Sequence, residues 1–220
     1  MDALIGRWRA DCATVAGHAT AEAVDDVGGD LLRRWHEPHR RYHDATHLSE
    51  VLAAVDGLCA AGGVNGVDRS VAALAAWFHD AVYVVDPAAG NNEAESAALA
   101  GRRLERLAVD PALVQRVVDV VLDTASHDLT PQASADAARV VVHDADLWVL
   151  SAPVARFDEY CTQVRQEYAQ VPAALYATAR AEVLRPFLVR DHVYGTTHAR
   201  TEWEPAAREN LARELTRLAG

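Results

Sequence analysis

The chain has 220 residues, half of them hydrophobic, and 32 Asp and Glu against 21 Lys and Arg give a formal net charge of −11. That charge argues against a binder of nucleic-acid polymers, whose phosphates need concentrated cations, but leaves room for a small phosphorylated ligand held by a few local arginines. Cys12, Cys59 and Cys161 are odd in number, widely spaced and without a CxxC, which excludes a disulfide framework or a thiolate zinc site and points to a reducing cytoplasm.

Taken in order, residues 3–36 read as one or two helices rich in Ala, Val and Leu, broken near Gly28-Gly29 and ended by Glu37-Pro38. A polar segment over 40–47 precedes a helical pattern at Leu48, Val51, Leu52, Val55 and Leu58. His47 therefore falls in a first turn, on or near the buried face, and Gly62-Gly63 stops the helix. Asp68 is the expected N-cap of the next helix, whose stripe Val71, Leu74, Ala75 and Phe78 runs into His79-Asp80. Residues 82–90 carry strand-like side chains but read as a loop or lid. Asn91 or Asn92 caps a helix through Leu107, and Asp110-Pro111 starts another that runs to His127. The run Val140-Val141-Val142 reads as helix because Leu147, Trp148 and Leu150 continue its apolar pattern. Ser151-Ala152-Pro153, Pro172 and Pro205 open three more helices, to Ala169, Val189 and Leu218. The expectation is an all-α single domain over 1–220, with no linker, repeat, secretion signal or membrane-spanning run.

The dipeptide His-Asp occurs four times, at 43, 79, 127 and 143, and only His79-Asp80 closes a strongly apolar helix. Burying such a pair without partners is costly, so it calls for a metal, a counter-charge or a substrate. His47, His79, Asp80 and Asp146 lie on three separate predicted helices and make a mixed N/O donor set suited to Mn, Fe, Co, Ni or Zn, with Mg a further option. Spacing alone leaves two readings open: the four converge in a helical bundle, or His79 is a hydrogen-bonded residue at a helix end.

The pattern His47, His79-Asp80, Asp146 resembles the H…HD…D signature of the HD superfamily of metal-dependent phosphohydrolases. Longer blocks extend the resemblance from about Trp35 to the C-terminus: 41–47 (RYHDATH), 77–83 (WFHDAVY), 92–97 (NEAESA), 171–176 (VPAALY), 180–184 and 207–211 (ARENL). The resemblance implies a helical bundle of the HD-domain type and a divalent metal held by His47, His79, Asp80 and Asp146. It implies hydrolysis of a small phosphoester, a nucleotide among the candidates, by metal-activated water. Some HD nucleotidases carry HDxxE, and this chain has Tyr83 at the acid position. Glu93 is then the expected replacement for the proton acceptor, and His127 a phosphate donor or general acid. Asp144 is either a carboxylate supporting the ligands from behind or a helix cap, and His143 either an extra ligand or packing. Arg41, Tyr42 and His43 are close enough to His47 to fold over the metal and bind phosphate, Arg41 through its forked donors. Two other readings stay open: a non-catalytic metal- or nucleotide-binding sensor or interaction domain, and an oxygenase or lyase on the same scaffold. Nothing in the sequence fixes the oligomeric state.

Overall fold

A computed structural model describes residues 2–85, 91–130 and 134–220. Among these every regular element is helical: α1 Asp2–Ala13, α2 Ala21–Trp35, α3 Ala45–Gly62, α4 Gly66–Phe78, α5 Asn92–Arg106, α6 Pro111–Asp123, α7 Ala137–Asp146, a 3-10 helix Leu147–Ser151, α8 Val154–Glu167, α9 Ala173–Val189, α10 Thr197–Glu202 and α11 Glu204–Ala219. The all-α expectation holds, and the valine run over 140–142 is the interior of α7. No helix of the described residues is long and apolar enough to cross a membrane.

The axis of the bundle is α4. Every residue from Ser70 to Phe78 is buried, a pattern that suits a helix surrounded by others. Ala72, Ala73, Ala75 and Ala76 leave room for α3, α6 and α7 to pack against it. Polar ties fix the surrounding helices. The Trp77 indole N–H donates to Asp11 Oδ2 at 2.9 Å, and Arg7 bridges Asp11 and Asp56, joining α1, α3 and α4. The Trp35 indole N–H donates to the Trp77 carbonyl at 3.1 Å, holding α2 against the end of α4 just before His79-Asp80.

Several boundaries differ from the sequence expectation, each for a local reason. The break in the first segment falls at 14–20, and Gly28-Gly29 lie inside α2. Gly28 is a packing glycine: a Cβ there would meet Trp8 Cδ1 at 2.4 Å and Ile5 Cδ1 at 2.7 Å. Asn65 occupies the N-cap position of α4, and Asp68 sits in its first turn, accepting from Arg116 at 2.8 Å. The helix from Asp110 does begin with that carboxylate accepting the Ala112 and Leu113 N–H groups, but it ends at Asp123. His127 has φ 50, the left-handed region, which no right-handed helix continues through. Gly63, at φ 66, terminates α3 as expected. The short α10 carries no signal in the apolar pattern. Val82–Val85 are neither helix nor strand, and the remainder of the expected loop or lid, 86–90, lies outside the described residues.

The two glycines of α2 make a matched test. Gly28→Ala should cost about 1–3 kcal/mol through overpacking on the buried Trp8. Gly29→Ala, whose Cβ would meet only Arg33 Nη1 at 3.9 Å, should be neutral or stabilise by up to about 1 kcal/mol. Denaturant titration of both variants distinguishes packing from helix propensity.

Candidate metal centre

Three helix ends meet at one point. Asp44 caps α3, its carboxylate accepting the N–H groups of Thr46 (2.7 Å) and His47 (3.4 Å), which sets the first turn so that His47 points inward. His79 and Asp80 follow the last turn of α4, and Asp146 is the last residue of α7. His47 and His79 are buried, while Asp80 and Asp146 keep partial exposure.

The donor atoms face one another. His47 Nε2 and His79 Nε2 are 3.1 Å apart. Asp146 Oδ1 lies 3.2 Å from the first and 3.4 Å from the second. Asp80 Oδ2 lies 3.8 and 3.4 Å from the same two nitrogens. Ligands about 2.1 Å from one ion are separated by about 3.0–3.4 Å along the edges of an octahedron or tetrahedron, and four of these five separations fall near that range. His79 Nδ1 sits 2.9 Å from the Ala76 carbonyl. A carbonyl only accepts, so the neutral ring carries its proton on Nδ1 and presents the Nε2 lone pair to a cation. The group His47, His79 and Asp80 can hold a metal ion, and the orientation of Asp146 fits a fourth donor.

The electrostatics agree with a cation at this point. Without one, burial opposes charge on His79, yet Asp80 and Asp146 lift it to about 9. Burial likewise opposes the Asp146 carboxylate, and His79, His47 and His127 hold it well below the usual range.

Beside the cluster opens a cavity of about 290 Å³, whose lining includes Tyr42, His43, Glu93 and His127 of the predicted residues. Tyr42 packs on His47, ring centroids 4.6 Å apart, and His43 stacks on Tyr83 at 4.3 Å. Glu93 faces the cavity with no hydrogen-bond partner among the described residues. His127 Nε2 lies 3.7 Å from Asp146 Oδ2, and its buried Nδ1 has no hydrogen-bond partner among the described residues. Burial lowers its pKa, with Asp146 opposing, so the imidazole is held neutral.

Two predicted residues do not reach the cavity. The Arg41 guanidinium is exposed and donates to the carbonyls of Pro38 (2.7 Å) and Arg40 (3.0 Å). Its neighbour Arg40 turns inward instead, over the Trp35 and Tyr83 rings, and donates to the carbonyls of His43, Asp80 and Ala81. Asp144 is fully buried and acts as an anchor. It accepts from Gly195 N, Thr196 N and the Thr196 hydroxyl, each at 2.7 Å, and pairs with His143 Nδ1 at 2.8 Å. His143 Nε2 faces the His127 carbonyl at 3.2 Å, so both its ring nitrogens are engaged and it is not a ligand.

Three residues of the site carried no prediction. Tyr160 and Arg180 line the cavity. Glu167, at the end of α8, holds the residues above the metal cluster in place. Its Oε1 accepts the N–H groups of Arg41, Tyr42 and His43 at 2.8–3.0 Å, and its Oε2 takes His43 Nδ1 at 2.7 Å and the Tyr83 hydroxyl at 2.9 Å. Burial pushes the Glu167 carboxyl up, but His43 and the Arg41 and His43 N–H groups bring it down to about 2. The apolar stripe Phe157, Tyr160, Cys161 and Val164 continues onto it, so an acid on a core-facing stripe was the available signal.

Two tests follow from this geometry. Purified protein should bind a transition metal at near one per chain, and His79→Ala or Asp80→Ala should lose it while remaining helical. Full occupancy in either folded variant would refute the ligand assignment. For Glu167, a folded pKa below the ordinary 4.5 means that ionisation stabilises the fold above that pH. That stability, on the order of 3 kcal/mol, is lost as pH falls toward 2. Glu167→Gln should flatten this acid limb in denaturant titrations across pH. Comparison with protein-family models and with curated proteins finds no match to the chain.

Proposed function

We propose that this chain is a metal-dependent hydrolase of a small phosphoester, a nucleotide among the candidates, on the scaffold of the HD superfamily that its motifs resemble. The supporting observation is that two imidazoles and two carboxylates converge beside a cavity with its own cationic and acidic side chains. His47, His79, Asp80 and Asp146 would hold the cation, and their mixed N/O character suits Mn, Fe, Co, Ni or Zn, with Mg as the harder alternative. Such a cation supplies Lewis acidity toward a phosphoryl oxygen and acidifies water in its open positions.

The remaining work falls to the chain's own groups. Glu167 takes His43 Nδ1, and although burial opposes charge on His43, that carboxylate together with Asp80 and Asp146 raises its pKa. His43 Nε2–H is then a charged donor for a phosphoryl oxygen. Glu93, without a hydrogen-bond partner among the described residues, accepts the proton of the attacking water. The neutral His127 donates a hydrogen bond to the phosphoryl or leaving oxygen. Tyr83 commits its hydroxyl to Glu167 and shapes the wall without replacing the acid found at that position in HDxxE proteins.

A phosphoester panel on metal-loaded protein tests this. At least one small phosphomonoester should turn over in a metal-dependent way. Glu93→Gln and His127→Ala should lower that turnover by about 10²–10⁴-fold while retaining bound metal. Near wild-type turnover in both variants would remove them from the mechanism, and a silent panel would reject the hydrolase.

A further inference from the structure

Arg180, on α9, is the arginine that lines the cavity, and its charge is unmatched. The guanidinium donates from Nη2 to the Tyr160 hydroxyl and lies over that ring, 5.1 Å from its centroid. Its Nε is buried and has no hydrogen-bond partner among the described residues. Other cations turned into the fold are better matched: Arg7 faces Asp11 and Asp56, Arg40 faces Glu37, Arg156 faces Glu50, and Arg165, without a carboxylate, donates to the Tyr168 and Val171 carbonyls. Arg180 has no carboxylate partner among the described residues. A partly buried, undercompensated guanidinium costs free energy that an anion restores. The Tyr160 hydroxyl accepts from Arg180, so its own proton also remains to be donated, with no acceptor among the described residues.

No carboxylate of the metal cluster supplies that anion. Asp80 and Asp146 open onto the same cavity, yet neither forms an ion pair with Arg180. Tyr42 and Tyr160 stand in sequence between them: Tyr42 is packed 4.6 Å from the His47 ring and 4.5 Å from the Tyr160 ring. Apolar side chains, among them Leu147, Leu150, Val164 and Leu184, line the cavity as well. A volume of about 290 Å³ is at the small end of ligand pockets.

We infer that Arg180 and Tyr160 form a second anion subsite, and that the ligand is a small phosphoester carrying a carboxylate or second phosphate remote from the phosphoryl group at the cluster. This rests on the phosphoester reading above for the metal-side group alone. The phosphoryl end meets the His/Asp cluster and His43, a short apolar body crosses the cavity, and the distal anion meets the guanidinium fork.

Calorimetric titration of the manganese-loaded full chain tests the subsite with unreactive probes. These are a graded series of ω-phosphonocarboxylates, alkylphosphonates of matched length, and matched alkyl carboxylates. At one length the phosphonocarboxylate should bind about tenfold or more tightly than its alkylphosphonate. Arg180→Gln should erase that margin while leaving alkylphosphonate affinity and bound manganese unchanged. Arg180→Lys, which keeps the charge but not the fork, should retain part of the margin and supplies the answer if the Gln variant does not fold. Equal affinities at every length, a margin that survives these substitutions, or no binding by any series overturns the subsite. If only the carboxylates bind, and do so through Arg180, the subsite stands and the phosphoester reading falls. An indifferent Arg180 beside tight phosphonate binding has the opposite meaning.

Discussion

Two imidazole nitrogens, one from the first turn of α3 and one just past α4, are held 3.1 Å apart inside a core built mainly from aliphatic and aromatic side chains. Neither helix end would go there for packing alone, because desolvating these groups opposes folding unless charge or a cation answers it. Asp80 and Asp146 provide the answer within the chain, and much of the surrounding structure holds the four in register. The Asp44 cap sets the turn that carries His47, the Ala76 carbonyl fixes the His79 tautomer, and the Trp35 indole holds the end of α4. The alanine content of α4 belongs to the same constraint, since small side chains let α3 and α7 bring their ends to one point.

Behind the cluster, two buried groups of opposite sign do complementary work on the chain between α2 and α3. Arg40 donates inward to carbonyls on both sides of the site, at His43 and at Asp80 and Ala81. Glu167 gathers N–H groups from Arg41 to His43 and orients the His43 ring. One cation collects acceptors and one anion collects donors, so a polar segment with no helix of its own is held as firmly as a capped helix end. The contact with Glu167 engages His43 Nδ1 and, against burial, raises the His43 pKa next to the cavity.

Most of the helices and the four cluster residues were legible because periodicity and helix starts are local, and because four costly groups at core positions are conspicuous. What resisted reading depended on partners distant in sequence. Gly28-Gly29 looked like a break, yet the absence of a Cβ at Gly28 answers to Trp8, packed against it from α1. Arg40 and Arg41 are adjacent and chemically alike. The choice of which turns inward was made by the Trp35 and Tyr83 rings and the carbonyls of 80 and 81, none of which leaves a trace in the local pattern. Asp144, two positions from a cluster residue, faces Gly195 and Thr196 because successive side chains on a helix point in different directions.

The distribution of charge completes the connection between fold and ligand. A chain with net charge −11 repels a small anion at long range, so its surface does not draw such a ligand in. The acids that set that total are in large part spent on arginines across helix pairs, as in Arg9–Asp25, Arg106–Asp26 and Arg213–Asp158. Inside the cavity Asp80, Glu93 and Asp146 share the lining with His43, whose pKa Glu167 raises against burial, and with Arg180, which has no carboxylate partner among the described residues. Charges in a partly desolvated cavity act more strongly than the same charges spread over a screened surface. On the proposed reading, selection for an anion would rest with His43, Arg180 and the metal that the cluster can hold, which would favour a ligand small enough to bring its charges inside.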